Sequence, residues 1–250
     1  MKPMRGVMIF CRVPGVEPGK TRLAEALGPE SAAAIYAACL LDTLEAAARS
    51  LADRVALCFS PGNAGESLCR WLTAQSWSGS PSRLDGDREY GRGVDCRPQQ
   101  PGDLGERMTA AFGAAFEAGW DEAVIVGSDI PGLNPALIDR AFLALQDRDV
   151  VFGPALDGGF YLVGAAPTTR LNPLAPLFRD IVWSAPDTLP QVLRRAGSEG
   201  RPTGLLEAWP DLDAAADIPL ILRLLRAYRA AGQPLAPRLM PLLERAGGST

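Results

Sequence analysis

Short apolar runs alternate along the chain with longer segments in which apolar residues recur every three to four positions. The short runs predict strands at 6–13, 54–60, 122–128, 149–153 and 160–164. The helical spacing predicts helices over 29–50, 103–119, 134–146, 186–197 and 216–231. Because strands alternate with helices and two strands are almost wholly apolar, the pattern predicts a doubly wound α/β fold, with a mostly parallel sheet covered by helices on both faces.

Two of the predicted helices begin with a polar pair spaced for a capping box. Asp103 with Glu106 has this spacing at the first, and Ser184 with Asp187 has it at the second. We therefore expect both helices to begin at these positions.

The chain is 250 residues long, which suits a single α/β domain, and no segment resembles an interdomain linker. Residues 73–95 are polar, glycine-rich and without periodicity. Such a stretch is long for a connection within a compact domain. It is expected to be either a lid over a site or a disordered insertion.

The composition narrows the function classes. A formal net charge of −4 and a pI near 5.0 argue against a broad nucleic-acid surface, which needs a basic face. Histidine is absent, and this excludes Ser-His-Asp and Cys-His catalysis as well as metal sites that contain histidine.

The cysteines and the termini point to a cytoplasmic protein. Five cysteines without a C-x-x-C spacing are typical of buried free thiols in a reducing compartment. The first apolar run is too short for a signal peptide, and no apolar stretch approaches the length of a membrane span.

The segment after the first strand has the features of a phosphate-binding loop. Gly15 permits a close backbone approach, and Lys20 and Arg22 bring two cations to the start of a helix. It is not a Walker A loop, because the residue six positions before Lys20 is Pro14 rather than glycine. The alternative is a plain surface turn, although cations in a first helical turn oppose the helix dipole.

Carboxylates follow other apolar stretches. Asp129 comes directly after VIVGS, at the strand end where ligands of such sheets bind, so it is a candidate metal ligand; the alternative is an Asp turn before Pro131. Asp211 and Asp213 have the i, i+2 spacing that puts both on one side of an extended chain, and the alternative is a helix N-cap pair.

A third candidate lies between the last two strands, where Asp157, Gly158 and Gly159 follow one another. The glycines permit a positive φ and a close backbone approach to a ligand. A simple hairpin turn explains the same residues.

In order, GKTRLAEALG, PGDLGERM, VGSDIPGL, DVVFGPALDGGFYLVG, FRDIVWS and DLD resemble the bacterial GT-A-like "glycosyltransferase A" family. This family is part of the nucleotide-diphospho-sugar transferase superfamily, and the resemblance covers nearly the whole chain. The chain is more distantly similar to the guanylyltransferases that build the deazaflavin and molybdenum cofactors.

The resemblance implies roles for the nucleotide side of a site. The phosphates would be bound by the strand-one loop, that is by Arg12, Gly15, Lys20 and Arg22. Gly105 and Arg107 would lie beside the nucleoside.

It also implies a metal site and an acceptor side. Asp129, Asp211 and Asp213 would bind one divalent cation, and Asp157, Gly158 and Gly159 would line the acceptor side with Phe160. One departure is visible, since GSDIP has a single Asp where well-studied sugar transferases have a D-x-D.

The first functional hypothesis is a Mg²⁺- or Mn²⁺-dependent transferase that uses a nucleotide-diphosphate-linked donor and a small-molecule acceptor, in particular a glycosyltransferase. Oxygen ligands select hard cations, and Lys20 and Arg22 would stabilise the charge on the leaving group. The alternatives are a nucleotidylyltransferase that releases pyrophosphate and a nucleotide-binding protein without turnover.

Overall fold

The computed structural model describes residues 2–16, 20–75, 81–82, 94–167 and 174–247. Within these ranges the strands are β1 (Arg5–Arg12), β2 (Arg54–Ser60), β3 (Pro81–Ser82), β4 (Val94–Pro98), β5 (Glu122–Gly127), β6 (Val150–Pro154), β7 (Phe160–Ala165) and β8 (Thr203–Leu205). The helices are α1 (Thr21–Leu27), α2 (Pro29–Ala48), α3 (Gly65–Ala74), α4 (Leu104–Glu117), α5 (Pro135–Ala144), α6 (Thr188–Ser198), α7 (Ile218–Ala230) and α8 (Leu239–Gly247).

These strands form one sheet in the order β3-β4-β2-β1-β5-β7-β6-β8. The pairs on either side of β1 are parallel, and β7 runs antiparallel to both β5 and β6. The carboxyl ends of β1, β2, β4 and β5 therefore meet at one edge, together with the amino end of β7.

Helices cover both faces of the sheet. On one face α2, α3 and α5 bury leucine, isoleucine and phenylalanine side chains against the central strands. On the other face α4 and α6 pack apolar side chains against the sheet, in a cluster that includes Phe112 and Phe152. The predicted doubly wound, mostly parallel α/β fold is confirmed.

A third apolar cluster explains why α2 carries so few polar residues. One side of α2 packs against the sheet, and the other packs against α1, α7 and α8 through Ile35 and Cys39. By length and composition α2 could cross a membrane, but 67% of the relevant window is buried inside the fold. This burial is what a core helix shows.

The five predicted strands and five predicted helices are all present. Among the described residues, three further helices (α1, α3 and α8) and three further strands (β3, β4 and β8) were not predicted. One of them, α1, changes the picture of the strand-one loop. The loop leads into this seven-residue helix and not directly into the long Ala-rich one, because Gly28 has a φ of 84° and Pro29 starts a new helix. The missed strands β3 and β8 have two and three residues, which are too few to show a clear period.

The two predicted capping boxes differ in outcome. At α4, the Asp103 side chain accepts from the Glu106 N–H and the Glu106 side chain accepts from the Asp103 N–H, as predicted. At α6 the predicted pair is wrong, since Ser184 has a φ of 59° and the hydroxyl of Thr188 accepts from the Ala185 N–H. Most of the predicted 73–95 lid or insertion lies outside the described residues.

Candidate functional site

Lys20 links two distant carboxylates at the carboxyl edge of the sheet. Its ammonium nitrogen donates to Asp129 Oδ2 at 2.9 Å and to Asp213 Oδ1 at 2.8 Å. The Lys20 backbone has left-handed angles, φ 60° and ψ 52°, which turn the chain into α1. Only 7% of its side chain is exposed, so this cation is directed into the molecule and not into solvent.

The electrostatics of Lys20 follow from these contacts. Burial alone would lower the Lys20 pKa, but Asp129 and Asp213 more than offset that effect and raise it. Burial would likewise raise the Asp213 pKa, and the nearby Lys20 ammonium holds it below its ordinary value. Lys20 therefore stays charged, with a carboxylate on either side.

Asp211 forms an acidic cluster beside Lys20 together with Asp129, Asp157 and Asp213. Its pKa is raised to about 6, first by burial, then by the charge of Asp157 and, more weakly, by Asp213 and Asp129. When protonated, Asp211 can donate a hydrogen bond to Asp213. Burial is the main cause of this raised pKa, and the neighbouring carboxylates add to it.

The shared metal site of Asp129, Asp211 and Asp213 stays a prediction. A single ammonium joins Asp129 to Asp213, and Asp211 lies near enough for both carboxylates to affect its pKa. Yet among the described residues no group of three or more His, Cys, Asp or Glu side chains is arranged to hold a metal ion. The cation that separates Asp129 from Asp213 is Lys20 itself.

The alternative interpretation of Asp211 and Asp213 as an N-cap pair is not what the structure shows. It is Asp217 that accepts from the backbone N–H groups of Asp213 and Ala214, ahead of α7. The Asp213 side chain is left to contact Lys20. Between the two carboxylates, Leu212 is buried in the apolar cluster of the C-terminal helices.

The other predicted phosphate-binding residues lie around this pair. Arg22 is exposed in α1, near enough to Asp213 to lower the pKa of that carboxyl. Arg12 is exposed at the end of β1. Gly15 has a φ of 79°, and apart from its chain neighbours no atom of the described residues lies within 4 Å of the position that a Cβ would take there. A glycine at such a position allows a ligand to approach the backbone closely.

Arg107 lies in a second part of the same edge. It donates to Gln99 Oε1 at 2.9 Å, and Gln99 Nε2 donates to the Cys58 carbonyl at 2.7 Å, where β2 ends. Both residues line an open cleft of about 510 Å³, together with Ser60, Pro61, Gly62, Pro98, Gln100, Pro101 and Gly102. Gln99 was not singled out from the sequence, because it lies in a polar stretch with no motif of its own.

Two predicted ligand glycines have structural contacts instead. A Cβ on Gly105 would lie 2.6 Å from the Trp183 ring, and one on Gly158 would lie 1.8 Å from the Pro186 carbonyl oxygen. Gly158 also has a φ of 94°. The close approach that these glycines permit is therefore to the segment before α6.

The segment 155–159 is a hairpin connection between antiparallel β6 and β7, as the simpler interpretation expected. The Gly159 N–H donates to Asp157 Oδ1 at 2.8 Å, which fixes the turn. The remaining surface of Asp157 is exposed beside the acidic cluster. Next to it Phe160 stacks on Phe178 with ring centroids 6.2 Å apart.

Residues 43–185 match the model of the family described as "Uncharacterized protein conserved in bacteria (DUF2064)". The chain belongs to this family. The part of the chain that matches DUF2064 contains Arg107, Asp129 and Asp157. Lys20, Asp211 and Asp213 lie outside it. No curated protein gives a significant match to the sequence.

Solved structures extend the similarity to the whole chain. A crystal structure titled "putative nucleotide-diphospho-sugar transferase", from Desulfovibrio desulfuricans G20, is 29% identical with a TM-score of 0.77, over 98% of this chain and 95% of that one. The fold thus belongs with the nucleotide-diphospho-sugar transferases, as the resemblance in the sequence implied.

More distant structures share the fold alone. A 4-diphosphocytidyl-2C-methyl-D-erythritol synthase from Anaerococcus prevotii has a TM-score of 0.55 at 10% identity, covering 90% of this chain and 96% of that one. A cytidylyltransferase from Leptospira borgpetersenii has a TM-score of 0.53 at 14% identity, covering 98% and 96%.

Proposed function

We propose that the protein is a metal-dependent transferase that uses a nucleotide-diphosphate-linked donor, and that the group it transfers is a sugar. The observation that carries this proposal is the contact of Lys20 with both Asp129 and Asp213. It brings an ammonium group, which can bind phosphate, and two carboxylates together at the sheet edge where ligands of open α/β sheets bind. The DUF2064 fold and the 29% identical solved structure support the same class.

The donor nucleotide would occupy two neighbouring regions. Its nucleoside fits the cleft beside Gln99 and Arg107, which offers an amide and a guanidinium for polar recognition. Its diphosphate fits the surface around Gly15, Arg22 and Lys20, where positive charge and open backbone are close together. Gln99 bridges the two regions, because it bonds the end of β2 and lies 3.5 Å from the Cys11 carbonyl in β1.

During transfer a bond forms between the acceptor hydroxyl oxygen and the anomeric carbon, the bond from that carbon to the diphosphate oxygen breaks, and the hydroxyl proton is released to solvent. Negative charge grows on the departing nucleoside diphosphate. Lys20 and Arg22 would stabilise that charge, because cationic groups beside a leaving group offset the negative charge that develops on it. Asp157 and Phe160, at the hairpin, would face the acceptor.

The carboxylate oxygens at this site are ligands of the kind that a hard cation prefers. Asp129 and Asp213 offer carboxylate oxygens, which Mg²⁺ and Mn²⁺ prefer, and Asp211 and Asp157 are further carboxyl groups close by. A cation bound there would neutralise the diphosphate. Because Lys20 already bonds both carboxylates, we infer that it must shift toward the phosphates when such a cation binds.

Product analysis on the purified protein tests the proposal. A panel of nucleoside diphosphate sugars is incubated with Mg²⁺ or Mn²⁺ and release of nucleoside diphosphate is measured, with the Lys20→Met variant as control. In parallel, thermal shift with each nucleotide reports binding, because ligand at about 100 times its Kd adds about 2.7 kcal/mol of stability. Nucleoside diphosphate released by the wild type and lost in the variant supports sugar transfer.

The principal alternative is nucleotidyl transfer from a nucleoside triphosphate to a phosphorylated acceptor. The single Asp129 after β5, where well-studied sugar transferases have two aspartates, favours it. Pyrophosphate release from triphosphates, with no turnover of nucleotide sugars, would replace the first proposal by this one. Nucleotide binding without either product would indicate a binding protein.

A further inference from the structure

The hydroxyl of Tyr36 joins the two strand ends that carry the candidate site. Tyr36 lies in α2 and is 7% exposed. Its oxygen accepts from the Arg12 N–H at 2.8 Å and donates to the Arg12 carbonyl at 3.0 Å. The same oxygen is 3.1 Å from Ser128 Oγ, and Ser128 immediately precedes Asp129.

These contacts fill a gap in the sheet. On one side, β1 pairs with β2 as far as Arg12, but on the other its pairing with β5 ends at Phe10. The Val13 N–H donates to Ser60 on the β2 side, so the N–H and carbonyl of Arg12 point the other way, where β5 has already ended. The Tyr36 hydroxyl binds both groups in place of a strand.

The hydrogen-bonding capacity of the hydroxyl is fully used. A phenol has one proton to donate and two lone pairs to accept with. When the proton goes to the Arg12 carbonyl, the lone pairs accept from the Arg12 N–H and from Ser128, which is itself only 6% exposed. Burial raises the Tyr36 pKa, and this keeps the proton in place.

We propose that Tyr36 is a positioning residue, whose hydroxyl fixes the end of β1 to the start of the Asp129 loop and thereby sets the contact between Lys20 and Asp129. Lys20 is tethered to β1 by a short loop, and Asp129 follows Ser128 directly. Phenylalanine would keep the ring and its packing but leave the strand end and Ser128 without their shared partner. The Tyr36 hydroxyl contacts the backbone of Arg12 and the side chain of Ser128, and it is not itself proposed to contact substrate.

Chemical labelling of lysine tests this without any ligand. The chain has two lysines, and the side chains of Lys2 and Lys20 are 66% and 7% exposed. Lys2 therefore serves as an internal reference for an acylating reagent read by mass spectrometry. We expect Lys20 to react more slowly than Lys2 in the wild type and roughly three- to tenfold faster in Tyr36→Phe, the range that one hydrogen bond implies.

Tyr161→Phe is the matched control. Tyr161 is 3% exposed and its hydroxyl donates to the Glu207 carbonyl at 3.2 Å, so the variant loses one buried hydroxyl that does not bond to either strand end. The Lys20 rate should stay at the wild-type value in this control. Ser128→Ala removes the hydrogen bond on the Asp129 side and should raise the Lys20 labelling rate. If Tyr36→Phe does not fold, Ser128→Ala tests the proposal in its place.

An unchanged Lys20 rate in Tyr36→Phe and Ser128→Ala, or an equal rise in Tyr161→Phe, overturns the proposal. A second arm rests on the proposed function: Mg²⁺-dependent nucleotide affinity should fall in Tyr36→Phe and not in Tyr161→Phe. If the wild type binds no nucleotide, the proposed function is wrong. The labelling experiment needs no nucleotide, so it still tests the role of Tyr36.

Discussion

Lys20 and Asp129 are 109 positions apart in the chain, and the ammonium of the first donates a 2.9 Å hydrogen bond to the carboxylate of the second. One follows β1 and the other follows β5, and these strands are parallel neighbours. Their contact is therefore a consequence of sheet topology. It gives the strand-one loop a carboxylate partner from another strand of the sheet.

The first prediction compares the two cations of this loop. Lys20→Met and Arg22→Met should each weaken nucleotide binding by about 1.5–3 kcal/mol, the range for hydrogen bonds to charged groups. Lys20→Met should also lower the free energy of unfolding, because it leaves Asp129 and Asp213 without their shared cation. Arg22 is exposed, so its replacement should not. Calorimetric titration and denaturant unfolding measure the two effects, and unchanged affinity in both variants would remove the loop from the site.

A second prediction concerns Asp129→Asn. This variant should lose divalent-cation binding and metal-dependent turnover, since a neutral amide is a weaker ligand for Mg²⁺ or Mn²⁺. Its stability should fall only slightly, because Lys20 keeps its bond to Asp213. Mn²⁺ titration followed by electron paramagnetic resonance measures binding, with Asp187→Asn, an exposed carboxylate at the start of α6, as control. Equal Mn²⁺ affinity in the two variants would contradict the role of Asp129.

The third prediction is a pH dependence that arises from Asp211. Its folded pKa of about 6 lies above the ordinary 3.8, so the folded state binds the proton more tightly. Its contribution to stability is full below pH 3.8 and is lost as the pH rises through 6. Asp211→Asn should therefore stabilise the protein more at pH 7.5 than at pH 5, by about 1 kcal/mol after allowance for partial exposure.

Urea unfolding with EDTA at the two pH values measures this difference. Asp187→Asn controls for the general removal of one negative charge. A stabilisation by Asp211→Asn that is the same at pH 5 and pH 7.5 would show that Asp211 does not titrate between them.

The fourth prediction concerns the steric role of Gly158 in the hairpin between β6 and β7. Gly158→Ala should destabilise the fold by at least about 2 kcal/mol, because its Cβ would overlap the Pro186 carbonyl. Gly119→Ala is the matched control, since its φ is also positive, at 85°, but a Cβ there meets nothing within 4 Å. Denaturant unfolding should show the larger loss for Gly158→Ala, and similar losses would mean that backbone strain alone accounts for both.

The sequence by itself determined the fold class and the chemistry available to the site. The alternation of apolar runs with helical periods predicted the doubly wound sheet, because each period reflects which side of an element is buried. The absence of histidine, the cations at Lys20 and Arg22, and the carboxylates at Asp129, Asp211 and Asp213 named the groups that a site could use.

Only the tertiary structure decided how these groups are paired. Lys20 and Asp213 are separated by 193 positions, and no local pattern shows that they bond. Tyr36 lies within the predicted helix 29–50, and the helical period there reports burial but not the hydrogen bond made by a buried hydroxyl. Gly158 showed the same limit: its sequence context allowed a ligand or a turn, and the neighbour that fills the space, Pro186, is set by long-range packing.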